Sequence, residues 1–214
     1  GFLPEAFINM LALLGWNPGH DKELMDLEEL ISLFSIERIG KSGAKFDWEK
    51  AKWFNHQYLQ AMSTEQLALC MQADLEKNGV KADPAYVKKV CGLVRERAFL
   101  IPDLWANSWF LFRAPEKYDE QAVKKVWSPE TPALIRSFAG EAASVTVWTQ
   151  DHIHTLVQDF VTRNGIRTGQ LMTPLRILVV GSTQGPGMME IAELIGKEEF
   201  LSRVKSGLDR LARI

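Results

Sequence analysis

Isolated arginines are the side chains of this sequence best suited to reading a polar or anionic ligand. Arg95 and Arg97 close a stretch of helical character, and Arg176 follows a proline. A guanidinium can donate two parallel hydrogen bonds to a base edge, most often that of guanine. A lone arginine is also commonly solvated or paired with a carboxylate. The local sequence does not decide between these roles, so both stay open.

Two glycine-containing stretches invite comparison with phosphate-binding loops. Residues 181–187 are glycine-rich and run into a predicted helix, whose first turn would offer free backbone N–H groups to an anion. They lack the spacing of a dinucleotide fingerprint, so the chemistry alone favours a plain connector. Gly40-Lys41-Ser42 resembles the end of a phosphate loop, but Ser35 stands where that motif needs a glycine. We interpret it as a surface turn.

The sequence carries no pattern typical of a metal or nucleophile site. His152 and His154 are two residues apart and would diverge on a helix, which disfavours shared metal binding. Cys70 and Cys91 form neither a Cys-x-x-Cys motif nor a disulfide framework, which fits a reducing cytosol. Nucleophile-elbow and metalloprotease motifs are also absent from the sequence. We therefore predict no catalytic or metal-binding residue in this chain, and a cytoplasmic location.

Composition indicates an ordinary folded protein. The 214 residues are 46% hydrophobic and 24% charged, with 7 tryptophans and 11 phenylalanines, which argues against disorder. The net charge is −2, but residues 161–214 hold 8 basic and 5 acidic side chains, so an anionic partner would best face this quarter. Residues 1–16 are apolar, yet they fit neither a signal peptide nor a membrane span. Because the chain does not begin with Met, we expect a fragment or a processed product.

Hydrophobic spacing and capping residues predict a mainly helical chain. Asp47 and Asp83 suit helix N-caps, Ser63 with Gln66 suits a capping box, and Gly79 suits a left-handed C-cap. Trp105 and Trp109 would share one helical face. By propensity alone, residues 177–180 resemble a short buried strand. The predicted helices cover residues 4–14, 24–34, 48–59, 63–78, 83–99, 117–127, 132–139, 149–164, 188–195 and 198–214.

Three blocks of this sequence resemble bacterial-type glutamyl-tRNA synthetases, which are class I aminoacyl-tRNA synthetases. The first block is residues 1–16, similar to the segment after the catalytic Lys-Met-Ser-Lys-Ser-type loop of that family. The second, within residues 34–59, contains Ile36-Glu-Arg, Lys41-Ser-Gly-Ala and Trp53-Phe-Asn55. The third includes Gly169-Gln, Pro174-Leu-Arg176, Gly185-Pro-Gly187 and Leu194-Ile-Gly-Lys197-Glu.

The resemblance implies helical bundle subdomains of a class I synthetase anticodon-binding region. Residues 1–61 would form the end of the stem-contact domain, and residues 62–119 and 120–214 two anticodon-binding subdomains. It also makes residues 175–180 a helix, and we prefer this to the strand because Pro174 is favourable at a helix start. It assigns tRNA contacts as follows: Arg97 reads the third anticodon base, Arg176 contacts an anticodon base or phosphate, and Gly185, Pro186, Gly187 and Met188 cradle anticodon bases. We also predict that Arg167 contacts phosphate.

The implied function is recognition of the anticodon arm of glutamate tRNA as the C-terminal part of glutamate–tRNA ligase. The missing catalytic domain of the same polypeptide would use ATP and magnesium, while the fragment itself would need no cofactor and would be inactive alone. Neither DNA nor a membrane is implied as a partner. A helical protein–protein interaction module derived from a synthetase is the alternative, favoured by the aromatic content and the small net charge.

Overall fold

Helices account for the regular secondary structure of the part of the chain that the computed structural model describes, residues 1–41 and 43–212. This confirms the predicted mainly α fold. Numbered in chain order, the helices are α1 (Pro4–Gly15), α2 (Leu27–Leu33), α3 (Trp48–Ala61), α4 (Thr64–Lys77), α5 (Pro84–Val94), α6 (Ile101–Ala106), α7 (Trp109–Phe112), α8 (Glu120–Val126), α9 (Thr131–Ser144), α10 (Gln150–Asn164), α11 (Thr168–Val180), α12 (Met188–Ile195) and α13 (Lys197–Leu211).

The contacts divide the chain into two compact units, Gly1–Asn107 and Ser108–Ile214. In the first unit, α1 packs against α2 and α3, and α4 packs against α5 and α6. In the second unit, α11 packs against α8, α9, α10 and α13, and α12 packs against α7, α10 and α13. The three-part organisation expected from the sequence, with boundaries after residues 61 and 119, stays a prediction.

Local side-chain caps begin several helices where the sequence predicts them. The Asp47 carboxylate accepts from the N–H groups of Glu49 and Lys50, and Asp83 caps α5 in the same way. Ser63 and Gln66 form the predicted capping box at α4. Gly79, with φ of +66°, follows the C-terminal turn of α4. These predictions are confirmed because each depends on residues that are close in sequence.

The prediction of one helix over residues 83–99 is wrong at its C-terminal end. The α-helix stops at Val94, and Arg95–Arg97 form a single 3-10 turn. Side chains from outside the helix bind the carbonyls of this turn: Gln60 donates to the Arg95 oxygen and Asn107 to the Arg97 oxygen. These hydrogen bonds from residues distant in sequence stabilise the tighter turn.

The shared helical face expected for Trp105 and Trp109 is also wrong. Helix α6 ends at Ala106 and α7 begins at Trp109, so the two tryptophans lie on different helices. Asn107 turns the chain, with its N–H bound to the Asp103 carbonyl and its side chain bound to the Arg97 carbonyl. Hydrophobic spacing alone does not detect this turn.

Helix α11 is confirmed over residues 175–180, and the alternative strand is wrong. All four residues from Ile177 to Val180 are buried because four other helices surround α11, which explains the strand-like apolar run. The helix nevertheless begins at Thr168 rather than at Pro174. Pro174 has no N–H group, so the Gln170 carbonyl lacks its usual helical hydrogen-bond donor. Gln170 is exposed, so water can bind that carbonyl instead.

Three residues named in the sequence predictions lie outside the described residues. Ser42 belongs to the predicted surface turn, and Arg213 and Ile214 belong to the end of the last predicted helix. Within the described residues, no helix is long and apolar enough to cross a membrane.

Candidate nucleic-acid interface

The second unit brings Arg176 close to the glycine-rich connector. Helix α11 carries Arg176 and is capped at its C-terminus by Gly181, which has a φ of +88° and donates its N–H to the Ile177 carbonyl. The chain then returns through Gly185, whose φ is +127°. A Cβ atom at Gly185 would lie 3.4 Å from the Arg176 Nη1 atom. Glycine thus allows the connector to pass directly beside the guanidinium.

A cavity of about 380 Å³ lies at this position. Thioether side chains, two threonines and one guanidinium surround it. Its lining residues are Met172, Thr173, Arg176, Thr183, Met188 and Met189. Methionine adapts its shape to an irregular or flat apolar partner, and the arginine and threonines can bind polar edges. The cavity therefore combines apolar walls with a few polar groups, which is typical of a small-molecule or base pocket.

The N-terminus of α12 is less suited to an anion than the sequence alone indicates. The Gly187 N–H donates to the Glu190 Oε2 atom at 3.0 Å, so a carboxylate already occupies this helix end. A phosphate placed here would face that negative charge. Pro186 and Met188 are buried next to it. The arrangement favours a neutral, flat ligand group over a phosphate at residues 185–188.

Arg167 lies apart from this cavity, at the N-cap of α11. Its side chain is exposed, and its backbone N–H donates to the Gln170 Oε1 atom at 2.9 Å. Arg176 is nine residues further along the helix, roughly 13 Å at the usual helical rise. The neighbouring Arg163 is paired with Glu141, whereas no carboxylate of the described residues pairs with Arg167. A charge in this position suits a phosphate group.

Arg97 belongs to the first unit and ends the 3-10 turn after α5. Its side chain is exposed, and no carboxylate of the described residues is paired with it. By contrast, the half-buried Arg95 donates to the Gln60 carbonyl. Of the two arginines singled out here by the sequence, Arg97 presents the more accessible guanidinium.

Sequence reasoning missed several residues of these two regions. Met172 and Met189 line the cavity but were not selected from the sequence. The spacing of Met172 and Arg176, four residues apart on one helix, was a usable signal. Phe99, which is 46% exposed two residues after Arg97, was also missed.

Comparison with known proteins gives consistent matches. The anticodon binding domain family matches residues 50–208. Glutamate–tRNA ligases of Flavobacterium johnsoniae and Bacteroides thetaiotaomicron are 43% and 41% identical over 211 residues, covering 99% of this chain and 42% of theirs. The crystal structure of a glutamate tRNA ligase from Elizabethkingia meningosepticum is 40% identical with a TM-score of 0.93, again covering 99% of this chain and 42% of that one. The chain thus spans less than half the length of these relatives.

Proposed function

Because the chain belongs to the anticodon binding domain family and matches glutamate–tRNA ligases along 99% of its length, we propose that it recognises the anticodon arm of glutamate tRNA. The complete ligase would attach glutamate to that tRNA using ATP and magnesium. This chain would hold the RNA, and the remaining part of the polypeptide would carry out the chemistry in the cytoplasm. We expect the chain alone to give no ATP–pyrophosphate exchange.

The cavity beside Arg176 is the observation that carries the proposal. Bases of a tRNA loop can leave their stack and be bound individually. The three methionines, Met172, Met188 and Met189, would contact the flat face of such a base. The Arg176 guanidinium and the hydroxyls of Thr173 and Thr183 would hydrogen-bond its edge. Gly185, Pro186 and Gly187 would bring the backbone close to the same base.

The two exposed arginines take different roles in this proposal. Arg97 would read the third anticodon base with two hydrogen bonds and favour glutamate over glutamine anticodons. Arg167 would bind a phosphate, which positions the RNA without selecting its sequence. Each role depends on an accessible guanidinium, and both side chains are exposed.

Binding of anticodon stem-loops tests the proposal directly. Fluorescence anisotropy would compare stem-loops of glutamate and glutamine tRNA at about 50 mM and 200 mM salt. We expect tighter binding of the glutamate stem-loop and weaker binding of both at the higher salt. A helical protein–protein module, the rival function, would bind neither RNA in a salt-dependent way.

Arg167→Ala provides a sharper form of the same experiment. It should weaken both stem-loops by a similar factor and reduce the slope of log affinity against log salt by roughly 0.7–0.9, because one phosphate contact is lost. Arg136→Ala, at an exposed arginine of α9 in the same unit, is the matched control and should leave the slope unchanged. An effect of Arg167→Ala on only one anticodon would contradict the phosphate role.

A further inference from the structure

The chain that leaves the 3-10 turn after α5 presents two exposed side chains around one buried residue. Ala98 has φ of −95° and ψ of 118° and is completely buried, while Arg97 and Phe99 on either side of it are exposed. The extended backbone of Ala98 separates the Cα atoms of its two neighbours by roughly 6–7 Å. Arg97 and Phe99 are therefore close neighbours, and both are open to solvent.

Hydrogen bonds from other elements fix the backbone of this segment. Asn55, which is completely buried, donates to the Phe99 carbonyl at 2.6 Å, and Asn107 donates to the Arg97 carbonyl at 2.9 Å. The Asp103 carboxylate accepts from the N–H groups of Phe99 and Leu100, both at 2.9 Å. A ligand that binds here would not have to order the backbone, which removes one cost of binding.

The Phe99 ring is arranged as a platform for a flat group. His56 stacks against it, with ring centroids 4.6 Å apart and an interplanar angle of 22°. The His56 Nδ1 atom lies 2.8 Å from the Ala98 carbonyl oxygen, which fixes the imidazole. Phe99 nevertheless remains 46% exposed, so the imidazole leaves part of the aromatic surface free.

The charge beside the ring distinguishes between possible ligands. Arg97 is exposed and no carboxylate of the described residues pairs with it. An apolar protein surface docking on Phe99 would desolvate this charge without compensation. RNA supplies both a flat base for the ring and hydrogen-bond acceptors for the guanidinium. The pair thus suits single-stranded RNA better than a protein.

We propose that Phe99, backed by His56, stacks a nucleobase of the bound RNA next to the base that Arg97 reads. The proposal rests on the RNA-binding function proposed above and adds a second contact to it. In this arrangement the stacked base limits the orientation of its neighbour, so that the neighbour's edge meets the guanidinium. Phe99 would contribute affinity for any base, and Arg97 would contribute selectivity.

The test uses glutamate-tRNA anticodon stem-loops carrying the fluorescent base 2-aminopurine at one loop position at a time. For the wild-type chain, we expect quenching on binding at a position adjacent to the third anticodon base. Phe99→Ala should abolish that quenching and weaken binding roughly 5- to 100-fold, whereas Phe99→Tyr, which keeps the aromatic face, should retain both. Phe34→Ala, at a phenylalanine of the same unit that is 52% exposed, is the control and should behave as wild type.

Each result separates this inference from the function on which it rests. If the wild-type chain binds the stem-loop but Phe99→Ala changes neither quenching nor affinity, the platform is overturned and tRNA recognition stands. If the wild-type chain binds no stem-loop, both are overturned. Should Phe99→Ala unfold the chain, Phe99→Leu replaces it, since leucine keeps apolar volume without an aromatic face. If Phe99→Leu quenches 2-aminopurine as strongly as the wild-type chain does, the platform is also overturned.

Discussion

Arg203 is 3% exposed and lies inside the second unit, where its guanidinium donates to the carbonyls of Phe110 and Val179 and pairs with Glu199. Arg210 similarly donates to the carbonyls of Pro115 and Glu116. Arg203, buried and bound in this way, stabilises the fold and is not accessible to RNA, whereas Arg210 is exposed despite its backbone contacts. The exposed Arg97 and Arg167 differ from Arg203 only in tertiary surroundings. For this reason the residue types and their spacing identified arginines as candidates but could not separate RNA-binding candidates from structural arginines. The family resemblance supplied that distinction.

Arg97→Gln should narrow the difference in affinity between glutamate and glutamine anticodon stem-loops. Loss of a guanidinium that binds a base edge with two hydrogen bonds costs about 1–3 kcal/mol of discrimination, a factor of roughly 5–150. Titration of both stem-loops with wild type and variant measures the ratio of the two affinities. Arg136→Ala should leave that ratio unchanged. An unaltered ratio for Arg97→Gln would remove Arg97 from base reading.

At the scale of elements, the sequence correctly predicted the helix caps that depend on residues close in sequence. The caps at Asp47, Ser63 and Asp83 were confirmed because each bond spans only two or three residues. The end of α5 was missed because the side chains of Gln60 and Asn107, which lie outside that helix, bind the Arg95 and Arg97 carbonyls. The break before Trp109 was missed because hydrophobic spacing does not detect the turn at Asn107. The β-propensity of residues 177–180 wrongly predicted a strand, because a helix enclosed on all sides has the same apolar run as a buried strand.

Gly181→Ala should destabilise the second unit by roughly 1–3 kcal/mol. Its φ of +88° is unfavourable for alanine, and a Cβ atom would lie 2.8 Å from the Lys117 carbonyl oxygen. Gly165→Ala is the matched control, since Gly165 has φ of +63° but nothing within 4 Å of a Cβ atom. Urea unfolding should therefore give the larger loss for Gly181→Ala. Equal losses would mean that the contact with Lys117 has no energetic effect.

At the scale of the whole chain, the positive and negative charges are too evenly distributed to indicate RNA binding. Residues 1–107 carry 12 basic and 15 acidic side chains, and residues 108–214 carry 13 and 12. Neither unit is strongly basic, so the proposed RNA recognition would depend on where individual charges lie rather than on a general attraction. Composition therefore could not predict the proposed partner. The three sequence blocks indicated a family instead, and the relatives that match nearly the whole chain confirmed that family.

Stability of the first unit should fall at alkaline pH through Cys91. Burial raises the pKa of its thiol from 9.0 to about 11, because the thiolate is poorly solvated there. A raised pKa means that the stabilising contribution is complete below pH 9, the unfolded value, and is lost as the pH rises through 11. Urea unfolding at several pH values should therefore show the advantage of wild type over Cys91→Ala shrinking above pH 9.

The wild-type chain and Cys91→Ala both retain Cys70, whose pKa is also raised by burial. The titration of Cys70 therefore largely cancels when the two are compared. A wild-type advantage that is constant from neutral to alkaline pH would show that the Cys91 thiol ionises as readily in the folded as in the unfolded chain.

The hydrogen bonds that hold residues 97–100 come from Asn55, Asp103 and Asn107, and they bind only backbone groups of the segment. The side chain at position 97 can therefore be exchanged with little loss of stability, whereas a change at position 99 also removes the stacking contact with His56. A library randomised at these two positions should yield mostly folded proteins that differ in RNA preference. If the chain binds RNA as proposed, the same separation would let natural variants change their RNA preference through point mutations, without first acquiring compensating changes in the core.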